Sequence, residues 1–196
     1  MCKVTSENEL IKLSGNSSNR SEISCGYLND NRKAVFFDRD GVLNIDKDYL
    51  HDIEELEWVE DAKEAVAFLT ELGYTIFVVT NQSGIARGYY EVEDMIKLHE
   101  HMTKELAAAG GKVTKFYYCP HLPSSKIKEY AVECDCRKPK PGLLLQAMNE
   151  YPIDKEASFL IGDKQRDLDS AQAAGIRGYL YEGGNLLEFV KKIVSE

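Results

Sequence analysis

The sequence predicts an α/β fold built around a mainly parallel sheet. Short apolar runs typical of buried strands alternate with longer segments that are apolar along one helical face. Polar and acidic residues follow several of these strands directly, and the C-terminal ends of parallel strands are where open α/β sheets bind ligands. The 196 residues suffice for one domain with a substantial core. We therefore expect a single domain over residues 33–196, preceded by a Ser- and Asn-rich, flexible extension over residues 1–32.

The composition excludes several classes of function. A formal net charge of −9 argues against a surface that coats nucleic acid, which would be basic. No apolar run approaches the roughly 18 residues of a membrane span, and no apolar leader segment is visible. We expect a cytoplasmic protein with a small-molecule partner and no nucleic-acid or membrane partner. Five cysteines, an odd number, argue against a disulfide framework.

The apolar patterns place the elements along the chain. We predict five strands, at residues 34–37, 74–79, 113–118, 157–161 and 179–181. We predict five helices, at residues 60–72, 92–106, 142–151, 168–174 and 186–194. The aperiodic stretch 44–58 suits a small flap over a site at the tip of the first strand, or a plain connection. Residues 85–90 are expected to form a loop.

Asp38 and Asp40 follow the first strand and precede Gly41. Side chains at i and i+2 point the same way in extended chain, so the two carboxylates are expected to share a small volume. Like charges that close raise at least one pKa unless a cation relieves them, and Mg²⁺ accepts hard oxygen ligands of this kind. The alternative is an ordinary D-G turn after the strand.

Two further segments offer groups for an anion. Thr80 to Gly84, after the second strand, combine a hydroxyl with backbone N–H groups that can bind phosphate oxygens, although alone they would predict a turn. Arg137 and Lys138 precede two prolines, and they could grip phosphate or form a solvated basic run. Asp163, after the fourth strand, could complete a metal site.

Three cysteines and a histidine form a second candidate metal site. Cys119 and His121 lie before a polar loop, and Cys134 and Cys136 lie after it. Three thiolates and one imidazole are a closed tetrahedral set typical of structural Zn²⁺. The insertion 119–136 is therefore predicted to be a zinc-binding loop, and the alternative is reduced thiols beside an unrelated histidine.

Four segments together resemble the haloacid-dehalogenase-like phosphohydrolases, and more closely their heptose-bisphosphate phosphatase branch, with histidinol-phosphate phosphatases as near relatives. They are D-R-D-G-V-L-N at 38–44, T-N-Q-S-G-I-A-R-G at 80–88, C-P-H with C-D-C-R-K-P-K-P-G at 119–121 and 134–142, and G-D-K-x-x-D at 162–167. The resemblance implies a doubly wound sheet with helices on both faces, a minimal cap and an open site for a sugar bisphosphate. We expect a monomer.

The resemblance also implies roles for individual residues. Asp38 would be the nucleophile that forms an aspartyl phosphate, and Asp40 the general acid and base. Thr80 and Lys138 would stabilise the transferred phosphoryl group. Mg²⁺ would be held by Asp38, the backbone carbonyl of Asp40, and Asp163. The residues implied in substrate binding are Asp46, Lys47, Asp48, Tyr49, Asn81, Gln82, Ser83, Arg137 and Lys164.

Three alternatives remain open on the sequence. The first is a histidinol-phosphate phosphatase, which could share every quoted motif. The second is a non-catalytic, zinc-stabilised module that binds a phosphosugar or nucleic acid, against which the negative charge and the retained aspartates argue. The third is phosphotransfer to a second sugar rather than to water.

Overall fold

A computed structural model describes residues 31–195 of the chain. Five parallel strands form one sheet in the order β3-β2-β1-β4-β5. The strands are β1 (Ala34–Phe37), β2 (Thr75–Asn81), β3 (Val113–Cys119), β4 (Phe159–Gly162) and β5 (Arg177–Leu180). The chain adds β2 and β3 on one side of β1, and β4 and β5 on the other. The strand order thus reverses beside β1, and a ligand crevice is expected at the C-terminal ends there.

Six α-helices and one short 3₁₀ helix (Ile53–Glu55) connect or follow the strands. The α-helices are α1 (Ala62–Glu71), α2 (Ser83–Arg87), α3 (Val92–Ala108), α4 (Gly142–Glu150), α5 (Gln165–Ala174) and α6 (Leu186–Val194). Val35 and Phe37 face a core that includes residues of α1, α3 and α6. Ala34 and Phe36 face a second core with residues of α4 and α5. The strand alternation therefore buries both faces, and the doubly wound α/β fold is confirmed.

Several predicted boundaries are off by two or three residues, and three of the differences are instructive. Residues 85–90 are not a plain loop, since α2 occupies part of them; its five residues are too few to show a helical period, and Gly88, with a φ of 72°, ends it. Helix α5 begins at Gln165 rather than 168, with its first turn among polar residues. Strand β5 spans Arg177–Leu180 rather than 179–181, because a largely exposed edge strand has little apolar signal.

The predicted flexible extension falls almost wholly outside the described residues, which exclude 1–30. At its end, Arg32 pairs through its backbone, donating to the carbonyl of Pro152 and accepting from the N–H of Asp154. Every helix within residues 31–195 lacks the apolar length that a bilayer crossing requires.

Candidate active site

Asp38 lies buried at the tip of β1, with 3% of its surface exposed. Its N–H donates to the carbonyl of Ile161, which continues the pairing with β4 by one residue. Its Oδ1 lies 2.9 Å from Lys138 Nζ. Burial raises the pKa of Asp38 to about 6 against the opposing effect of Lys138, and the nearby carboxylates of Asp167 and Asp40 raise it further. The predicted rise in pKa is found, but loss of water contributes more to it than carboxylate repulsion.

Three aspartates form the anionic centre. One oxygen of each of Asp38, Asp163 and Asp167 lies within 4.8 Å of the others, and Oδ1 of Asp163 is buried without a hydrogen-bond partner. Such a set of hard oxygen donors fits Mg²⁺. Gly41 permits this approach, because a Cβ there would lie 2.4 Å from Asp163 Oδ2, and its φ is +85°.

Lys138 joins these carboxylates to the neighbouring strand. Its Nζ lies 2.9 Å from Asp38, 2.6 Å from Asp167 Oδ1 and 2.8 Å from the carbonyl of Val79. Its backbone is held by Asn81, whose Oδ1 accepts from the Lys138 N–H and whose Nδ2 donates to the Lys138 carbonyl, both at 3.1 Å. The ammonium is therefore fixed where it can neutralise buried negative charge.

The carboxylate of Asp40 accepts from three side-chain donors, Arg39, Asn44 and Gln82. Arg39 is fully buried and also donates to the carbonyl of Leu50 at 2.8 Å. Its Nη1 lies 3.2 Å from His99 Nε2. Burial, and then the charge of Arg39, hold the pKa of His99 well below its usual value, so the neutral imidazole accepts this bond.

A cleft of about 270 Å³ opens in front of Asp40. Its lining residues are Asp40, Asp46, Asp48, Tyr49, Asn81, Gln82, Ser83, Arg87, Tyr90, Arg137, Lys164 and Arg166. Of the residues implied in substrate binding, only Lys47 does not line it; its Nζ pairs with Glu57 at 3.1 Å. Thr80 is buried beside the cleft, within β2 rather than in a turn after it.

The cationic side chains of the cleft differ in their ion-pair and hydrogen-bond partners. Lys164 Nζ lies 3.1 Å from Asp46 and 2.9 Å from Asp163. Arg137 donates to the carbonyl of His121 at 3.3 Å, which ties it to the cysteine loop. Nε of Arg166 is buried without a hydrogen-bond partner. An anionic ligand in the cleft would therefore meet some cationic groups that already have partners and one, Arg166 Nε, that has none.

The cysteine loop brings its four predicted zinc ligands together. One ligand atom from each of Cys119, His121, Cys134 and Cys136 lies within 4.8 Å of the other three. Cys119 Sγ lies 3.5 Å from Cys134 Sγ and 3.2 Å from Cys136 Sγ, and His121 Nδ1 lies 3.4 Å from Cys136 Sγ. The three thiols are free, and the donor set fits tetrahedral Zn²⁺.

Five residues of this site were not singled out from the sequence: Arg39, Tyr90, His99, Arg166 and Asp167. Arg39 and Asp167 lie in the quoted motifs D-R-D-G-V-L-N and G-D-K-x-x-D, but they were assigned no role. Tyr90 and His99 act through side chains of other segments, which no local motif encodes.

The chain resembles characterised families and solved structures over most of its length. The family model described as "HAD-hyrolase-like" matches residues 135–188. The D-glycero-β-D-manno-heptose-1,7-bisphosphate 7-phosphatase of Pasteurella multocida is 47% identical over 146 residues, covering 74% of this chain and 79% of the relative. The enzyme of the same name from Rhodopseudomonas palustris is 39% identical, covering 84% and 92%. The D,D-heptose 1,7-bisphosphate phosphatase of B. bronchiseptica, solved with magnesium and phosphate, has a TM-score of 0.72 and 30% identity, covering 83% and 98%.

Replacing Lys138 by Met should destabilise the protein in a pH-dependent way. Without the ammonium, Asp38 and Asp167 face each other as unpaired buried charges, which costs about 3–5 kcal/mol of unfolding free energy. We expect that loss at pH 8 and a smaller one at pH 5, where Asp38, whose pKa burial raises to about 6, can take up a proton. Urea denaturation in the presence of a chelator measures it.

Lys115→Met is the matched control, because Lys115 forms a partly exposed pair with Glu150, and it should change stability by less than about 1 kcal/mol. Adding Asp167→Asn to Lys138→Met should recover part of the loss. An equal loss at both pH values would contradict this account of the centre.

Proposed function

Because this chain belongs to the family of D-glycero-β-D-manno-heptose-1,7-bisphosphate 7-phosphatases, we propose that it removes the C7 phosphate from a heptose 1,7-bisphosphate, giving heptose 1-phosphate. The observation that carries the proposal is the cluster of Asp38, Asp163, Asp167 and Lys138, whose sequence neighbours Arg137 and Lys164 line a cleft with further cations. One end of the site can thus transfer a phosphoryl group while the other receives a second anion.

Asp38 and Asp40 divide the chemistry between them. A carboxylate oxygen of Asp38 attacks phosphorus, the bond from phosphorus to the sugar oxygen breaks, and Asp40 gives its proton to that oxygen. Asp40 then takes a proton from water as the water oxygen attacks the aspartyl phosphate, which releases inorganic phosphate and restores Asp38. Lys138 and the Thr80 hydroxyl offset the charge of the phosphoryl oxygens.

Mg²⁺ completes this site in the proposal. Asp38, Asp163 and the backbone carbonyl of Asp40 would hold it, with Asp167 close by and bound to Lys138. When bound, it supplies neutralisation of the phosphate charge, so that the anionic ester can approach the Asp38 carboxylate.

The charges of the cleft favour a bisphosphate over histidinol phosphate. Three arginines and a lysine line it, against three aspartates, of which Asp40 is paired with Arg39 and Asp46 with Lys164. A second phosphate suits this balance, whereas the ammonium of histidinol phosphate would meet the same cations. The cytoplasmic location and the monomeric state expected from the sequence stay predictions.

A phosphate-release assay tests the function directly. With Mg²⁺, we expect a higher kcat/KM on heptose 1,7-bisphosphate than on histidinol phosphate, and no transfer of phosphate to a second sugar. Removal of Mg²⁺, or Asp38→Asn, should abolish turnover while circular dichroism shows an intact fold. A higher kcat/KM on histidinol phosphate would overturn the substrate, and no phosphate release from any sugar phosphate would favour the binding module.

Replacing Arg166 by Gln tests the second anion site. Nε of Arg166 is buried in the cleft wall without a partner, and a hydrogen bond from a cation to phosphate contributes roughly 1.5–3 kcal/mol. We expect KM for the bisphosphate to rise at least about 10-fold, with KM for a sugar monophosphate within about twofold of wild type.

Arg177→Gln serves as the control for that change, since Arg177 is exposed at the start of β5, at the opposite end of the sheet. If Arg166→Gln raised both KM values equally, Arg166 would not bind the second phosphate.

We propose that Zn²⁺ fills the cysteine site and holds Arg137 at the cleft. Metal analysis of protein purified without chelator should find one zinc per chain, and Cys136→Ala should lose it. Loss of the metal should raise KM about 10-fold, because Arg137 follows Cys136 and donates to the carbonyl of His121.

Cys25→Ser, which changes a cysteine belonging to neither pair, should keep the zinc and the wild-type KM. A wild-type protein without zinc would refute this part of the proposal, and would leave the phosphatase assay to stand by itself.

A further inference from the structure

The two oxygens of the Asp40 carboxylate are held unequally. Oδ1 accepts from Arg39 Nε at 3.1 Å, Arg39 Nη2 at 2.9 Å and Asn44 Nδ2 at 3.0 Å. Oδ2 accepts from Gln82 Nε2 at 3.0 Å and shares the Arg39 Nη2 contact, also at 3.0 Å. Oδ2 is therefore the less engaged oxygen, and Gln82 is the side chain that sets its direction.

The Gln82 amide also donates a hydrogen bond to the hydroxyl of Thr80, the residue proposed to contact the phosphoryl group. Its Nε2 lies 2.8 Å from Thr80 Oγ1, so its two hydrogens serve Asp40 and Thr80. Because Thr80 Oγ1 accepts this bond, its own O–H is left to donate toward a phosphoryl oxygen. Gln82 is only 2% exposed, which leaves its amide little contact with the cleft solvent.

The Asp40 carboxylate, which only accepts, and the Tyr90 hydroxyl together fix which way round the amide lies. The Tyr90 hydroxyl donates to Gln82 Oε1 at 2.5 Å. A reversed amide would place Oε1 against the Asp40 carboxylate and Nε2 against the tyrosine hydroxyl. The Tyr90 ring is itself confined, since it stacks on His51 at 4.8 Å and lies so close to Gly84 that a Cβ there would be 2.2 Å from it. Burial raises the pKa of Tyr90 to about 12, which keeps the hydroxyl protonated as a donor.

We propose that Gln82, locked by the Tyr90 hydroxyl, is a positioning residue that aligns the general acid Asp40 with the phosphate-binding Thr80. The inference rests on the phosphatase chemistry proposed above, but not on which sugar is the substrate. Neither Gln82 nor Tyr90 exchanges a proton with the substrate; both act through Asp40 and Thr80. Their loss should therefore weaken proton donation to the leaving oxygen more than binding of the ester.

Tyr90→Phe removes the hydroxyl while keeping the ring and its stacking on His51, and Gln82 Oε1 then loses its hydrogen-bond partner, which loosens the amide. The informative readout is the leaving group. A poor leaving group needs the Asp40 proton as its bond to phosphorus breaks, whereas p-nitrophenolate leaves without it. We expect the single-turnover rate on phenyl phosphate to fall about 10-fold, and the rate on p-nitrophenyl phosphate to stay within about twofold.

Gln82→Met, which keeps the length of the side chain without its amide, should show a larger loss on phenyl phosphate. It should also lower the rate on p-nitrophenyl phosphate, because Thr80 loses its partner as well. Tyr74→Phe is the control: Tyr74 immediately precedes β2, at the end of that strand opposite Thr80, and its loss should leave both rates unchanged.

The result that supports the proposal is a steeper dependence of rate on leaving group in Tyr90→Phe at unchanged KM and unchanged melting temperature. Equal losses on the two esters, or no loss on phenyl phosphate, would overturn it. These aryl esters test the positioning role independently of the sugar: failure on heptose bisphosphate alone would count against the proposed substrate, and a flat leaving-group dependence would count against Gln82 and Tyr90.

Discussion

The fold of this site depends on one buried ion network, in which the ammonium of Lys138 lies between the carboxylates of Asp38 and Asp167. These residues come from the loop before α4, the tip of β1 and the first turn of α5, so a single cation joins three separate parts of the chain. Burial of either carboxylate without it would cost several kcal/mol, and burial of the ammonium alone would cost as much. The three parts of the chain therefore cannot come together without also pairing these charges.

The two aspartates of D-R-D-G differ in their surroundings more than in their sequence. Asp38 shares its space with other carboxylates, one ammonium and the oxygens suited to a metal. Asp40 accepts bonds from an arginine and two amides, and has no carboxylate among these partners. Contrasting environments of this kind assign different tasks to two chemically equal groups. The buried Arg39, satisfied by Asp40, Leu50 and the neutral His99, makes this difference without adding an unpaired charge.

Local sequence predicted the architecture and the residues at the strand tips, because both depend on short-range patterns. Short apolar runs located four strands and part of β5, and Asp38, Thr80 and Asp163 lie at the carboxyl edge where such strands end. The short helix α2 carried too few residues to show a period. Gln82 was not predicted as a partner of Asp40, since it meets Asp40 across 42 residues and its amide is oriented only in the folded chain, where it also meets the Tyr90 hydroxyl.

The side chain of Asn81, at the end of β2, makes two hydrogen bonds to the backbone of Lys138 in the loop before α4. They anchor the lysine to β2 directly, whereas the cysteine cluster anchors the loop before it. Since these bonds do not involve the polar segment between Cys119 and Cys134, we expect that segment to tolerate changes in length at little entropic cost. This outer segment could therefore be replaced while Lys138 keeps its position beside Asp38 and Asp167.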